Sequence, residues 1–275
     1  SANSINWGRL VPQIVYYFSA YADMLAGGEI KCGEKINIVV PTGNFGNILA
    51  AYYASRMGLP VNKFICASNE NNVLTDFIST GVYNKNRDFH TTISPSMDIL
   101  ISSNLERFLY ELTDKDDKLV AEWMKALNTG GVYEVSADVK ERLQKNFRAG
   151  YSNDAETMAA IKKCYDEYDY VIDTHTAVAK SVYDKYAAET GDTTKTVIAS
   201  TASPFKFNQS VLIALGDHNF VAGKDEFTLL DELSEKSGMN IPKSLYELKD
   251  KSPIFNLVCE KDQMQQVVSD FLMIE

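Results

Sequence analysis

The run Ile36-Asn37-Ile38-Val39-Val40-Pro41-Thr42-Gly43-Asn44-Phe45-Gly46-Asn47-Ile48-Leu49 passes from one apolar stretch, through a loop with two glycines, into another. Ile36 to Val40 is short and rich in β-branched residues, the pattern of a strand buried on both faces. Ile48 to Met57 has helical spacing and closes on Gly58-Leu59-Pro60, a helix stop. Phe64 to Ala67 reads as the next strand and Val73 to Ser79 as a helix. Strand, loop, helix and strand in that order favour a parallel sheet with right-handed crossovers. The expected fold is therefore α/β: an open, mainly parallel sheet flanked by helices.

Upstream, Leu10, Ile14, Tyr17, Tyr21 and Leu25 share one face of a long amphipathic helix that Gly27-Gly28 ends. The chain enters this helix almost at once and has no initiator Met, so missing upstream sequence is expected. Downstream, residues 98–167 are mostly helical in pattern, with helices expected at Asn104–Leu112, Lys118–Leu127, Val139–Phe147 and Ala155–Tyr165. Two further strand–helix steps follow: Val171-Ile172-Asp173 before Thr176–Glu189, and Thr196 to Ser200 before Gln209–Leu215. Gln263–Leu272 reads as a last helix. With no repeat and no linker, one lobe is expected over 1–275, its first 30 residues packed near a part not present here.

The chain has 275 residues, 45% of them hydrophobic, enough for a sizeable core. Its net charge of −10 disfavours nucleic acid and anionic membrane surfaces as partners. A few placed donors still suffice for a small anion. Cys32, Cys66, Cys164 and Cys259 form no CxxC pair, and the three histidines form no cluster at metal spacing. Without a signal peptide or an apolar run of membrane-spanning length, a cytoplasmic protein with reduced thiols is expected.

The loop from Thr42 to Asn47 carries the sharpest chemical signal. A helix N-terminus offers unpaired N–H groups and the positive end of a dipole, and glycines let an anion approach the backbone. Thr42, Asn44 and Asn47 can add side-chain donors. The plainer alternative is a turn with an Asn cap. A dinucleotide site needs G-x-G-x-x-G, and Gly43 and Gly46 supply two of its three glycines. Glu70 falls roughly where its ribose-binding acid would lie.

Three other segments qualify. Ser200-Thr201-Ala202-Ser203-Pro204-Phe205-Lys206 follows a strand and should emerge at the same sheet edge, as ligand donors or as a helix cap. Asp173-Thr174-His175-Thr176-Ala177 holds a candidate base or orienting group, or a capped helix start. In Ser4-Ile5-Asn6-Trp7-Gly8-Arg9, Asn6 and Arg9 share a helix face, and an arginine fork suits phosphate; taken alone, Arg9 reads more simply as a surface arginine.

Together these segments resemble threonine synthase. The resemblance rests on Ser1 to Arg9 followed by Gln13 to Phe18, and on Val40 to Asn47. His175-Thr176-Ala177-Val178-Ala179 and Thr201-Ala202-Ser203-Pro204-Phe205-Lys206-Phe207 follow in the family's order. It implies a fold type II pyridoxal-phosphate lyase that converts O-phosphohomoserine and water to threonine and phosphate. It further implies that Gly43, Asn44, Phe45, Gly46 and Asn47 cup the cofactor phosphate and that Thr201 lies near the pyridine nitrogen. Ser4, Asn6, Arg9 and His175 would bind the phosphorylated amino-acid substrate. The family's Schiff-base lysine belongs to a Phe-Lys-Asp-type motif upstream of everything here, and neither Lys63, Lys180 nor Lys206 stands in that context. The chain alone is then expected to be inactive. Two other readings stay open: a non-catalytic phosphate- or pyridoxal-phosphate-binding module, and a nicotinamide-dependent oxidoreductase.

Overall fold

A computed structural model describes residues 3–216, 221–252, 254 and 256–274. Its elements are α1 (Trp7–Ala26), β1 (Ile36–Pro41), α2 (Gly46–Arg56), β2 (Val61–Ser68), α3 (Val73–Thr80), β3 (Val82–Asn84), α4 (Leu105–Leu112), α5 (Asp117–Gly130), β4 (Val132–Glu134), α6 (Ala137–Asn146), β5 (Phe147–Tyr151), α7 (Asp154–Tyr168), α8 (Thr174–Thr190), β6 (Thr196–Ile198), α9 (Asn208–Ala214), α10 (Glu226–Ser237), α11 (Lys243–Tyr246) and α12 (Met264–Leu272). Contacts cluster into two compact units, 1–239 and 240–275, where the sequence suggested one lobe. The second unit holds α11 and α12.

The first unit is built on a four-stranded sheet of order β5-β2-β1-β6, parallel at every pairing. Its strands alternate between two cores. Ile38 and Val40 of β1, with Phe64 and Cys66 of β2, join Leu10, Ile48 and Phe108 on one face. Val39, Ile65 and Ala67 join Val178, Ala179 and Val182 of α8 on the other. Covering both faces explains why β1 is buried at every position and reads as an unbroken apolar run. The expected open parallel sheet flanked by helices is what the chain forms. β3 and β4 pair antiparallel in a separate two-stranded sheet.

Two local expectations change. The helix over Val139–Phe147 stops at Asn146, and Phe147 turns to extended backbone to begin β5 on the sheet edge. Pairing with Phe64, whose ring stacks on Phe147 at 4.9 Å, draws it out of the helical pattern. Val171-Ile172-Asp173 is no strand: Val171 and Ile172 are buried, but Asp173 already serves as N-cap of α8, accepting from the His175 and Thr176 N–H groups.

Candidate functional site

The chain adds β2 and β5 on one side of β1 and then returns to place β6 on the other, so the strand order reverses at β1. Open α/β folds bind ligands at the carboxyl ends of strands where the order reverses in this way. A cavity of about 980 Å³ opens there, lined by residues 41–48, by α1 between Gly8 and Ala20, by Ser96 and Met97, and by the segment after β6. Among the described residues lining it, Arg9 and Lys206 are cationic and none is acidic.

The loop at its base ends in Phe45, held in the left-handed region at φ 61° as N-cap of α2. Its ring lies in the core, 5.5 Å from Phe108 and 6.1 Å from Phe147. Burial of that ring sustains a backbone conformation a phenylalanine seldom adopts. A phenylalanine offers no side-chain acceptor, and no side chain caps this helix. Helices α1, α5, α6, α7, α8 and α10 are capped by Asn6, Asp116, Ser136, Asn153, Asp173 and Asp225, whereas α3, α4, α9, α11 and α12 share with α2 the lack of a side-chain cap, and of these uncapped starts only that of α2 lines the cavity. The first N–H groups of α2 thus present the positive end of the helix to the cavity without a competing acceptor, the arrangement that holds an anion.

A second layer fixes the loop. The Ser102 hydroxyl donates to the Gly43 carbonyl (2.8 Å), and the Asn104 N–H and side-chain amide donate to the Asn44 carbonyl (3.1 and 2.8 Å). The Ser103 hydroxyl reaches the Asn44 Oδ1 at 3.2 Å. Asn3 joins in, donating to the Ser103 Oγ and accepting from Asn104. Arg107 donates to the Ser4 carbonyl (2.7 Å) and to the Asn104 Oδ1 (2.9 Å). Sequence reading singled out none of Asn3, Ser102, Ser103, Asn104 and Arg107 as site residues. The run Ser102-Ser103-Asn104 before an apolar helix was the available signal, and it reads as an ordinary cap.

Of the residues singled out in the sequence, Ser4, Arg9, Gly43, Asn44, Phe45, Gly46, Asn47, His175 and Thr201 line the cavity. Asn6 does not; its side chain accepts from the Gly8 N–H at the start of α1. The Ser4 hydroxyl accepts from Gln13 at 3.0 Å. Asn47 accepts through its Oδ1 from the buried Tyr17 hydroxyl, whose pKa burial raises. No hydrogen bond or ion pair among the described residues occupies the Arg9 guanidinium. Of the lysines considered from sequence, Lys206 lines the cavity, Lys180 pairs with Asp184 at 2.7 Å, and the Lys63 ammonium donates to the Lys145 carbonyl.

His175 is 3% exposed, and its Nε2 accepts from the Ser96 N–H at 3.2 Å. Its Nδ1 lies 3.4 Å from Asp173 Oδ1 and 3.3 Å from the Thr174 hydroxyl. The network therefore assigns the proton to Nδ1. Burial works to raise the Asp173 pKa, but hydrogen bonds from His175 and Thr176 outweigh it and hold the carboxyl below its usual range. Under the loop, burial pushes the Cys66 thiol up to about 12, against a smaller opposing bond to Thr42. No cluster of His, Cys, Asp or Glu able to hold a metal exists among the described residues. No helix there is long and apolar enough to cross a membrane.

A family model described as "Threonine synthase, C-terminal" matches residues 176–264. Human threonine synthase-like 1 is 48% identical over 216 residues, covering 78% of this chain and 29% of its own length. Threonine synthase of Saccharomyces cerevisiae is 36% identical over 276 residues, covering 95% of this chain and 53% of its own length. The crystal structure of PLP-bound threonine synthase from Brucella melitensis superposes with a TM-score of 0.80 at 33% identity, over 98% of this chain and 52% of that one. The chain spans about half or less of the length of these relatives. The loop, the segment before α1 and the turn after β6 that meet at the cavity are those on which the sequence resemblance rests, and the chain carries a match to the threonine synthase C-terminal family model over residues 176–264 and is similar to threonine synthases over most of its length.

Proposed function

We propose that this chain supplies the phosphate-holding part of a pyridoxal-phosphate lyase that converts O-phosphohomoserine and water to threonine and phosphate. The observation that carries the reading is the uncapped N-terminus of α2, opening on a cavity with no acidic lining among the described residues. That donor set suits a phosphate ester, and the bound cofactor named for the Brucella melitensis relative carries one.

Gly43, Asn44, Phe45, Gly46 and Asn47 would hold the cofactor phosphate, Phe45 through its backbone alone, since its ring is in the core. Thr201 would meet the pyridine nitrogen. When bound, pyridoxal phosphate supplies an electron sink for charge developing on substrate carbon. Ser4 and Arg9 would bind the substrate phosphate, the arginine as a two-pronged donor. Asn6, committed to the cap of α1 and outside the cavity lining, is left out of this set. The Phe-Lys-Asp-type motif of the resemblance is not among these 275 residues, which supports binding without turnover by the chain as given.

A second reading, a phosphate-binding module without turnover, is favoured by the human relative, whose name is threonine synthase-like rather than threonine synthase. The test is titration of this chain with 4′-deoxypyridoxine 5′-phosphate, which has no aldehyde, alongside an assay of phosphate release from O-phosphohomoserine with pyridoxal phosphate present. Binding without release is expected of this chain. Release by this chain alone would overturn its inactivity, and absence of binding would overturn the phosphate site. Threonine formation by the longer polypeptide separates the enzyme from the module.

A further inference from the structure

We propose that His175 is a positioning residue of the phosphate loop, acting through the turn at Ser96 rather than by carrying a proton. The inference rests on the reading of Thr42–Asn47 as a phosphate site.

The first part of the argument is the fixed orientation of the ring. Asp173 is tied to the start of α8 by the His175 and Thr176 N–H groups (2.8 and 3.2 Å) and by the Thr176 hydroxyl. Nδ1 of His175 faces this anchored carboxylate, and the Phe207 ring lies 4.7 Å from the imidazole. With the proton held at Nδ1, Nε2 is an acceptor, and the Ser96 N–H occupies it. A base needs a free lone pair directed at its substrate; this one is already engaged.

The second part is what Ser96 touches. A Cβ built on Gly43 would lie 3.1 Å from the Ser96 carbonyl oxygen and 3.1 Å from the Met97 Cα. The turn Pro95–Met97 thus abuts the phosphate-loop backbone closely enough that moving one moves the other. On its far side the turn is secured by Asp98, whose carboxylate accepts from Asn69 (2.7 Å), Asn71 (3.0 Å), the Thr92 hydroxyl (2.8 Å) and the Thr92 N–H (3.0 Å). On the cavity side the tie is His175. The two clamps hold the wall against which Gly43 rests, and so set where the loop's donors point.

The test compares this chain with H175L and H175Q. H175L removes the acceptor, whereas the side-chain oxygen of H175Q restores one at similar reach. Affinity for 4′-deoxypyridoxine 5′-phosphate is read by calorimetry, and exchange of the Ser96 amide by NMR. H175L is expected to bind about tenfold more weakly and to exchange Ser96 about tenfold faster, the scale of one lost hydrogen bond. H175Q is expected to recover most of both. If H175L does not fold, H175F, nearer in shape, takes its place. H175L binding as tightly as the parent, or H175Q losing as much as H175L, overturns the inference alone. A parent chain that fails to bind overturns the phosphate-loop reading and this inference with it.

Discussion

Ser4 fills the space that a side chain on Gly46 would need: a Cβ built on Gly46 lies 2.5 Å from the Ser4 Cβ and 2.6 Å from its Oγ. The segment before α1 and the first residue of α2 therefore meet without a spare methyl's width. Gly46→Ala is expected to push Ser4 aside, at a cost on the order of 1–3 kcal/mol for overpacking, and to weaken 4′-deoxypyridoxine 5′-phosphate binding. Adding Ser4→Gly should restore stability, measured by urea unfolding. Full binding by the single variant would show that the contact is not needed.

Phe45 joins an unfavourable backbone conformation to a buried ring. Phe45→Ala keeps the left-handed backbone requirement and removes the ring contacts with Phe108 and Phe147. A loss of about 3–5 kcal/mol is expected from large-to-small truncation. Phe45→Gly relieves the backbone but not the cavity, so it should unfold at a urea midpoint close to or slightly above that of the Ala variant.

Asp192 fastens the amino-terminal edge of the sheet. Its carboxylate accepts from Tyr186 (2.7 Å), Asn37 (3.0 Å), Asn62 (3.4 Å) and the Thr194 N–H (2.9 Å), and its field reaches Lys63. Burial raises its pKa, but bonds from Thr194, Tyr186 and Asn37 prevail and hold it well below the usual range. A depressed folded-state value means its stabilisation is present above the unfolded carboxyl value near ~3.9 and is lost as pH falls below that. Asp192→Asn should therefore be less stable at pH 7 and show a shallower loss between about pH 4 and pH 2, measured by thermal unfolding. Parallel curves for the two proteins would count against this assignment.

Cysteine reactivity follows exposure. Cys32 is exposed, whereas Cys66 is fully buried with its thiol pushed up to about 12. At pH 8, iodoacetamide should modify Cys32 in minutes and Cys66 only after unfolding, since the thiolate is the reactive form. Peptide mapping by mass spectrometry reads both.

The parallel sheet was legible because Ile36–Val40 and Phe64–Ala67 are short apolar runs on either side of a helix, and burial on both faces produces that pattern. The strand at Phe147–Tyr151 was hidden. Arg148, Ala149 and Gly150 carry little strand preference, and the helical period before them runs to the join. Val171-Ile172 misled in the other direction: burial alone imitates a strand when nothing pairs with it. At the site, glycines and asparagines betrayed the loop, while its supports at Ser96 and Ser102–Asn104 escaped notice. Their role is set by proximity across some sixty residues of sequence, which local pattern does not encode.

The ladder joining β1 to β6 continues as far as the Ala199 N–H, which donates to the Val39 carbonyl at 2.9 Å, and the Thr42 N–H donates to the Ala67 carbonyl at 2.8 Å. On the β6 side, the Thr42–Asn47 loop and the Ser200–Ala202 turn thus diverge from a main-chain pairing at the strand spacing of about 4.8 Å. On the proposed reading, Asn44 and Asn47 stand on one side of this pairing and Thr201 on the other, so ligand preference would be tuned by side chains hung from a shared backbone joint.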